Sequence, residues 1–77
     1  MEQTLAEAIG CGVRAELARK RLTQRRLAEC LGMSQPQVTK RLAGRIEFRP
    51  SELEKAAELL GVPMTAFLPP SLAVLAA

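Results

Sequence analysis

Apolar residues recur along this chain at helical spacing. Leu5, Ile9, Val13 and Leu17 follow one another every fourth position, and Thr4 and Glu7 stand three apart as a capping box, which predicts a helix from Thr4 to Lys20 with that stripe facing the core. Gly10 and Gly12 each weaken that helix by roughly 1 kcal/mol relative to Ala, so they imply a frayed start or a close helix contact, and we favour the contact. A second helix is expected from Gln24 to Leu31, capped by Thr23, with Leu27, Ala28 and Leu31 as its buried face. Gly32 can then enter the left-handed region, and a third helix opens at Ser34-Gln35, buries Val38 and Leu42 and ends at Gly44. Pro36 disfavours the α region at Gln35, so either Ser34 or Gln35 is the cap. The fourth helix is expected to start with Ser51, boxed by Glu54, and to bury Leu53, Ala56, Ala57 and Leu60 before Gly61 stops it. A short fifth turn from Met64 to Leu68 ends at Pro69-Pro70.

The chain, 77 residues long, is therefore read as an all-α, compact bundle of four to five helices, with one domain over residues 1–70 and an apolar tail, SLAVLAA, over 71–77. That tail is far short of the about 20 apolar residues that a bilayer crossing needs. Trp, Tyr, His and Asp are absent and only Phe48 and Phe67 are aromatic, so the core must come from Leu, Val, Ile, Ala and Met. Charge changes the picture further. Ten of the eleven basic residues lie between Arg14 and Arg49, against only Glu16, Glu29 and Glu47, a local balance of +7 in a chain whose total is +3. Such segregation favours a polyanionic partner over a merely solvated surface.

The stretch from Thr23 to Gly44, TQRRLAECLGMSQPQVTKRLAG, resembles the helix-turn-helix of the phage repressor and Cro-like (XRE-type) DNA-binding family. The matching positions are Gln24, Leu27-Ala28, Leu31-Gly32, Ser34-Gln35, Val38 and Gly44, and RPSELEKAAELLGV looks like the family's fourth helix, so about residues 5–68 are covered. Arg21 departs from the family, which usually has a glycine at that turn. The resemblance implies a lambda repressor-like domain whose second motif helix enters the major groove, and a glutamine at the position of Gln24 that braces the one at Gln35.

On that basis Gln35, Pro36, Thr39 and Lys40 are the expected base contacts. Glutamine suits adenine, because its amide donates to N7 while its carbonyl accepts from N6. Pro36 either packs on a thymine methyl or only sets the helix start. Gln24, Arg25, Ser34, Gln37, Arg41, Arg45 and Arg49 are expected at phosphates; Arg41 could equally be a solvated outer residue, and Arg45 and Arg49 solvated cations of a loop pinned by Phe48. Arg19, Lys20 and Arg21 serve the helix dipole or bind phosphate. Met64, Phe67, Leu68, Leu72, Val74 and Leu75 are the expected dimer contacts, the alternative being a tail that folds back or stays disordered.

The function this implies is a sequence-specific, duplex DNA-binding transcriptional regulator, a phage or prophage (immunity or Cro type) repressor that reads a palindromic operator as a homodimer. The alternative is an antitoxin or adaptor domain whose main partner is protein. No enzyme is expected, since nucleophiles such as Ser34 or Cys30 lack a His or Asp partner. Cys11 and Cys30 follow no metal-ligand spacing and are read as free thiols buried as small apolar residues, so no metal, cofactor or small-molecule ligand is expected. With no signal peptide at the N-terminus, the expected location is a reducing bacterial cytoplasm, at the nucleoid.

Overall fold

The computed structural model describes residues 3–69, so the tail and with it Leu72, Val74 and Leu75 lie outside the described residues. Helix α1 spans Leu5–Lys20, α2 Gln24–Leu31, α3 Gln35–Leu42 and α4 Pro50–Leu60, followed by a one-turn 3-10 helix, Met64–Phe67. The fold is all-α, as the apolar periodicity implies.

Local signals account for most helix ends. At α1 the Thr4 hydroxyl accepts from the Glu7 amide at 3.1 Å while the Glu7 carboxylate accepts from the Thr4 amide at 2.8 Å, so two unpaired donors are satisfied reciprocally. At α2 the Thr23 hydroxyl accepts from the Arg26 amide at 3.0 Å. Gly32 turns the chain at φ 67°, where the Met33 amide donates back to the Ala28 carbonyl at 3.1 Å. Ser34, not Gln35, caps α3, its hydroxyl accepting from the Gln37 amide at 3.4 Å. That places Pro36 at the second helical position, where a missing amide costs no intrahelical bond.

Two expectations are corrected here, and the turn at Arg21 is accounted for. Helix α4 does not begin with a Ser51–Glu54 box; Arg49 is its cap, Pro50 supplies the first helical φ, and the Glu52 carboxylate accepts from the Arg49 amide at 2.9 Å. Arg21 replaces the usual glycine yet keeps the left-handed cap, at φ 56°, a conformation that costs an L-residue about 1–2 kcal/mol. The Leu5 stripe is buried only from Val13 onward, because Leu5 sits at the open end of α1 and is 51% exposed.

The core joins Val13, Leu17, Leu27, Ala28, Leu31, Val38, Leu42, Ala56, Ala57, Leu60 and Phe67 in one cluster. Phe67 is 1% exposed, so it closes this chain's own core and is no part of an exposed dimer face. Cys11 is exposed and Cys30 only half-buried, against the expectation of two buried thiols; the Cys30 thiol donates to the Lys55 carbonyl, midway along α4, at 3.7 Å.

Both α1 glycines stand at close contacts. A Cβ at Gly10 would overlap the Leu42 carbonyl oxygen, and one at Gly12 would stand 2.5 Å from the Phe67 carbonyl oxygen. Neither backbone neighbour can swing aside. Helix propensity alone favours Ala over Gly by about 1 kcal/mol, but overlap with backbone reverses the sign. Gly10→Ala is expected to destabilise the fold by about 1–3 kcal/mol, read as a lower urea midpoint; an unchanged or higher midpoint would show that α1 and α3 do not touch there.

Candidate nucleic-acid interface

Helix α3 buries Val38 (0% exposed) and Leu42 (2%) against α1 and α2, and this fixes which residues face outward. At 100° per residue, Gln35, Pro36, Thr39 and Lys40 fall on one continuous side, and all four are exposed. Ala43 continues that side and is exposed too, a position the sequence reading passed over because alanine carries no recognisable chemistry. Beside the start of α3 lies an open hollow of about 550 Å³ lined by Arg25, Ala28, Glu29, Met33, Gln35 and Pro36. The interface surface is thus a short helix standing proud beside a shallow depression. Arg25, Arg45 and Arg49 are all exposed; Arg25 belongs to the wall of that hollow, 3.7 Å from Glu29 in a solvated pair worth little.

Two expected contacts are placed differently. Arg41 is turned inward: its Nε and Nη2 meet the two oxygens of Glu52 at 2.9 and 3.4 Å, and its side chain is only 11% exposed. Its remaining nitrogen donates to the Gln37 carbonyl and side-chain oxygen at 3.2 and 3.0 Å. Arg41 therefore ties α3 to α4 and is not available to a phosphate in this structure. The reason is the acid at the first turn of α4, which the sequence places eleven residues away. Gln24, for its part, makes no hydrogen bond to Gln35; its carbonyl oxygen accepts from the Thr39 hydroxyl at 3.2 Å. The two motif helices are linked by a polar contact, with a different partner from the one the resemblance implied.

Glu52 collects three hydrogen bonds, from Arg41 twice and from the Arg49 amide. Burial by itself raises its carboxyl, but the bonds from Arg41 and Arg49 and the charges of both arginines outweigh that, so it lies below the ordinary carboxylate range. A carboxylate held low stabilises the fold above its unfolded pKa and loses that contribution as pH falls through the folded one.

A helix-turn-helix with an exposed, largely polar side on its second helix and exposed arginines nearby is the architecture of a DNA-binding regulator. The chain belongs to the helix-turn-helix family, whose model matches residues 13–67. Among solved structures it is similar to the clp gene regulator ClgR from C. glutamicum, at 30% identity and a TM-score of 0.79 over 86% of each chain. It is also similar to a hypothetical transcription factor, NHTF, from Neisseria, at 27% identity and a TM-score of 0.78 over 100% of this chain and 90% of that one. No curated protein matches it. No helix among the described residues is long and apolar enough to cross a membrane, and no cluster of metal-ligating side chains occurs among them.

Glu52→Gln is expected to lower stability by about 2 kcal/mol at pH 7, since it leaves the Arg41 guanidinium without its charged partner. The sign follows from the lowered pKa: the wild-type advantage is full well above about pH 4.3 and shrinks on acidification, so the two stability curves should converge in acid. Parallel urea titrations from neutral to acid pH check this, and curves that stay apart would exclude the ion pair as the source.

Proposed function

We propose that this regulator is a repressor of phage or prophage type that binds a palindromic operator as a homodimer. What carries the reading is the exposed side of α3, where Gln35, Pro36, Thr39 and Lys40 form one polar surface, with Arg25, Arg45 and Arg49 exposed as well. An α-helix fits the major groove, and Gln35 in its first turn is suited to an adenine. Gln24, Ser34 and Gln37 lie in the first turns of the two motif helices, which supports a phosphate-contacting role for them, and the arginines would supply counterion release. The similarity to a gene regulator and to a transcription factor supports the regulatory part of the reading.

A homodimer would meet a geometric need of the task. One eight-residue helix reads only a few base pairs, whereas two-fold pairing sets two of them about 34–36 Å apart on one side of the duplex. Of the proposed dimer residues, Met64 is exposed and Leu68 half-buried, while Leu72, Val74 and Leu75 lie outside the described residues. Selecting binding sites from a random duplex pool tests the whole reading, because it returns both the base preference and any palindrome. Failure to enrich any duplex, together with capture of a protein partner, would favour an antitoxin or adaptor role.

With Arg41 spent on Glu52, about four cations per subunit remain to neutralise phosphates, so a fourfold rise in salt should weaken half-site binding by about 100-fold. Replacing Arg45 and Arg49 by Ala should lower affinity evenly across sequences and flatten that dependence, as read by fluorescence anisotropy; a salt-independent affinity would contradict groove binding. Gln35→Ala should instead cost about 1–3 kcal/mol on the selected site and far less on random duplex, and an equal loss on both would remove Gln35 from base reading.

A further inference from the structure

The hydrogen bond between α2 and α3 has a direction, and the direction decides what each partner can offer to DNA. A threonine hydroxyl carries one proton, and in Thr39 that proton is donated to the Gln24 carbonyl oxygen at 3.2 Å. Gln24 is half-buried and makes no other side-chain hydrogen bond among the described residues. With its oxygen held by α3, its amide nitrogen and two N–H donors are left for an acceptor outside the protein. Thr39 is exposed on the side of α3 that carries Gln35 and Lys40, but its hydroxyl proton is taken. The oxygen can still accept, but thymine presents only the O4 acceptor and the C5 methyl in the major groove, so toward that base the Thr39 methyl is the group left to make a specific contact. Because threonine in a helix divides between two χ1 rotamers, a bond to a neighbouring helix also selects one of them and so fixes where the methyl stands.

Resting on the DNA-binding reading above, we propose that Thr39 is a positioning residue as well as a base contact. Its hydroxyl holds the Gln24 amide with the nitrogen turned toward a backbone phosphate, and its methyl, not its hydroxyl, reads a thymine. Sequence reading and backbone grip are thereby joined at one side chain: the rotamer that presents the methyl is the one that orients the phosphate donor.

Two substitutions separate the halves of Thr39. Thr39→Val keeps the methyl and the shape but removes the proton; Thr39→Ser keeps the hydroxyl and removes the methyl. In the free protein, the Gln24 side-chain amide resonances should shift in T39V and stay in place in T39S. On DNA, T39V should weaken the selected site and a random duplex by the same factor, about threefold to tenfold, with base preference and salt slope unchanged, because no cation is lost. The T39V/Q24A double variant should bind no more weakly than Gln24→Ala alone, since both remove one contact. T39S should bind random duplex as the wild type does while losing preference at one thymine-containing base pair. Unmoved Gln24 resonances in T39V would overturn the proposal whatever the DNA result. So would a T39V loss confined to the selected site, or losses in T39V and Q24A that multiply. If the wild-type protein binds no duplex, the DNA-binding reading falls first, and the resonance shift still reports whether the hydroxyl holds Gln24.

Discussion

Eight residues are too few for a helix to persist alone in water, where isolated helices below about 12–15 residues are marginal. Helix α3, which presents the outward polar side, is eight residues long and therefore exists only because its surroundings hold it. Three contacts do so. Val38 and Leu42 are sealed in the core, the Leu42 carbonyl rests on α1 where Gly10 has no side chain, and Arg41 is clamped by Glu52. The first contributes most by buried apolar area, the second sets how closely α1 approaches, and the third fixes the far end of α3 to α4.

Glu52 shows how a small domain makes one side chain serve several purposes. It caps α4 by accepting from the Arg49 amide, neutralises Arg41, and through Arg41 orients the Gln37 side chain beside the start of α3. Its cost is a cation removed from the positive field. Arg25, Arg45 and Arg49 remain outward, so the field keeps its sign over the surface that carries Gln35 and Thr39. The capping and pairing functions reinforce one another, since the Arg49 amide and the Arg41 guanidinium both favour the charged form of the carboxylate.

The order and type of the helices, the glycine turn at Gly32 and the caps at Thr4 and Thr23 were all legible along the chain. These signals act within one turn of a helix, between residues three or four apart, and no distant partner is needed to decide them. The segregated charge and the outward set on α3 were legible for the same reason: once Val38 and Leu42 are buried, 100° per residue dictates what remains outside. Pro50 is a local signal of the same kind, since its fixed φ suits the first helical position and starts α4 ahead of Ser51.

Contacts between residues far apart in the chain were decided only by the tertiary structure. Arg41 and Glu52, Thr39 and Gln24, and Gly12 and Phe67 meet because helices cross, and nothing in their spacing announces it. Arg41 looks from its neighbours like one more outward cation, and Gln24 like a partner for Gln35; each was reassigned by a side chain brought within reach from another helix. Periodicity says which side of a helix is wet or dry. Which polar group on the wet side is already spent on a neighbour depends on distances of about 3 Å, and only packing sets those.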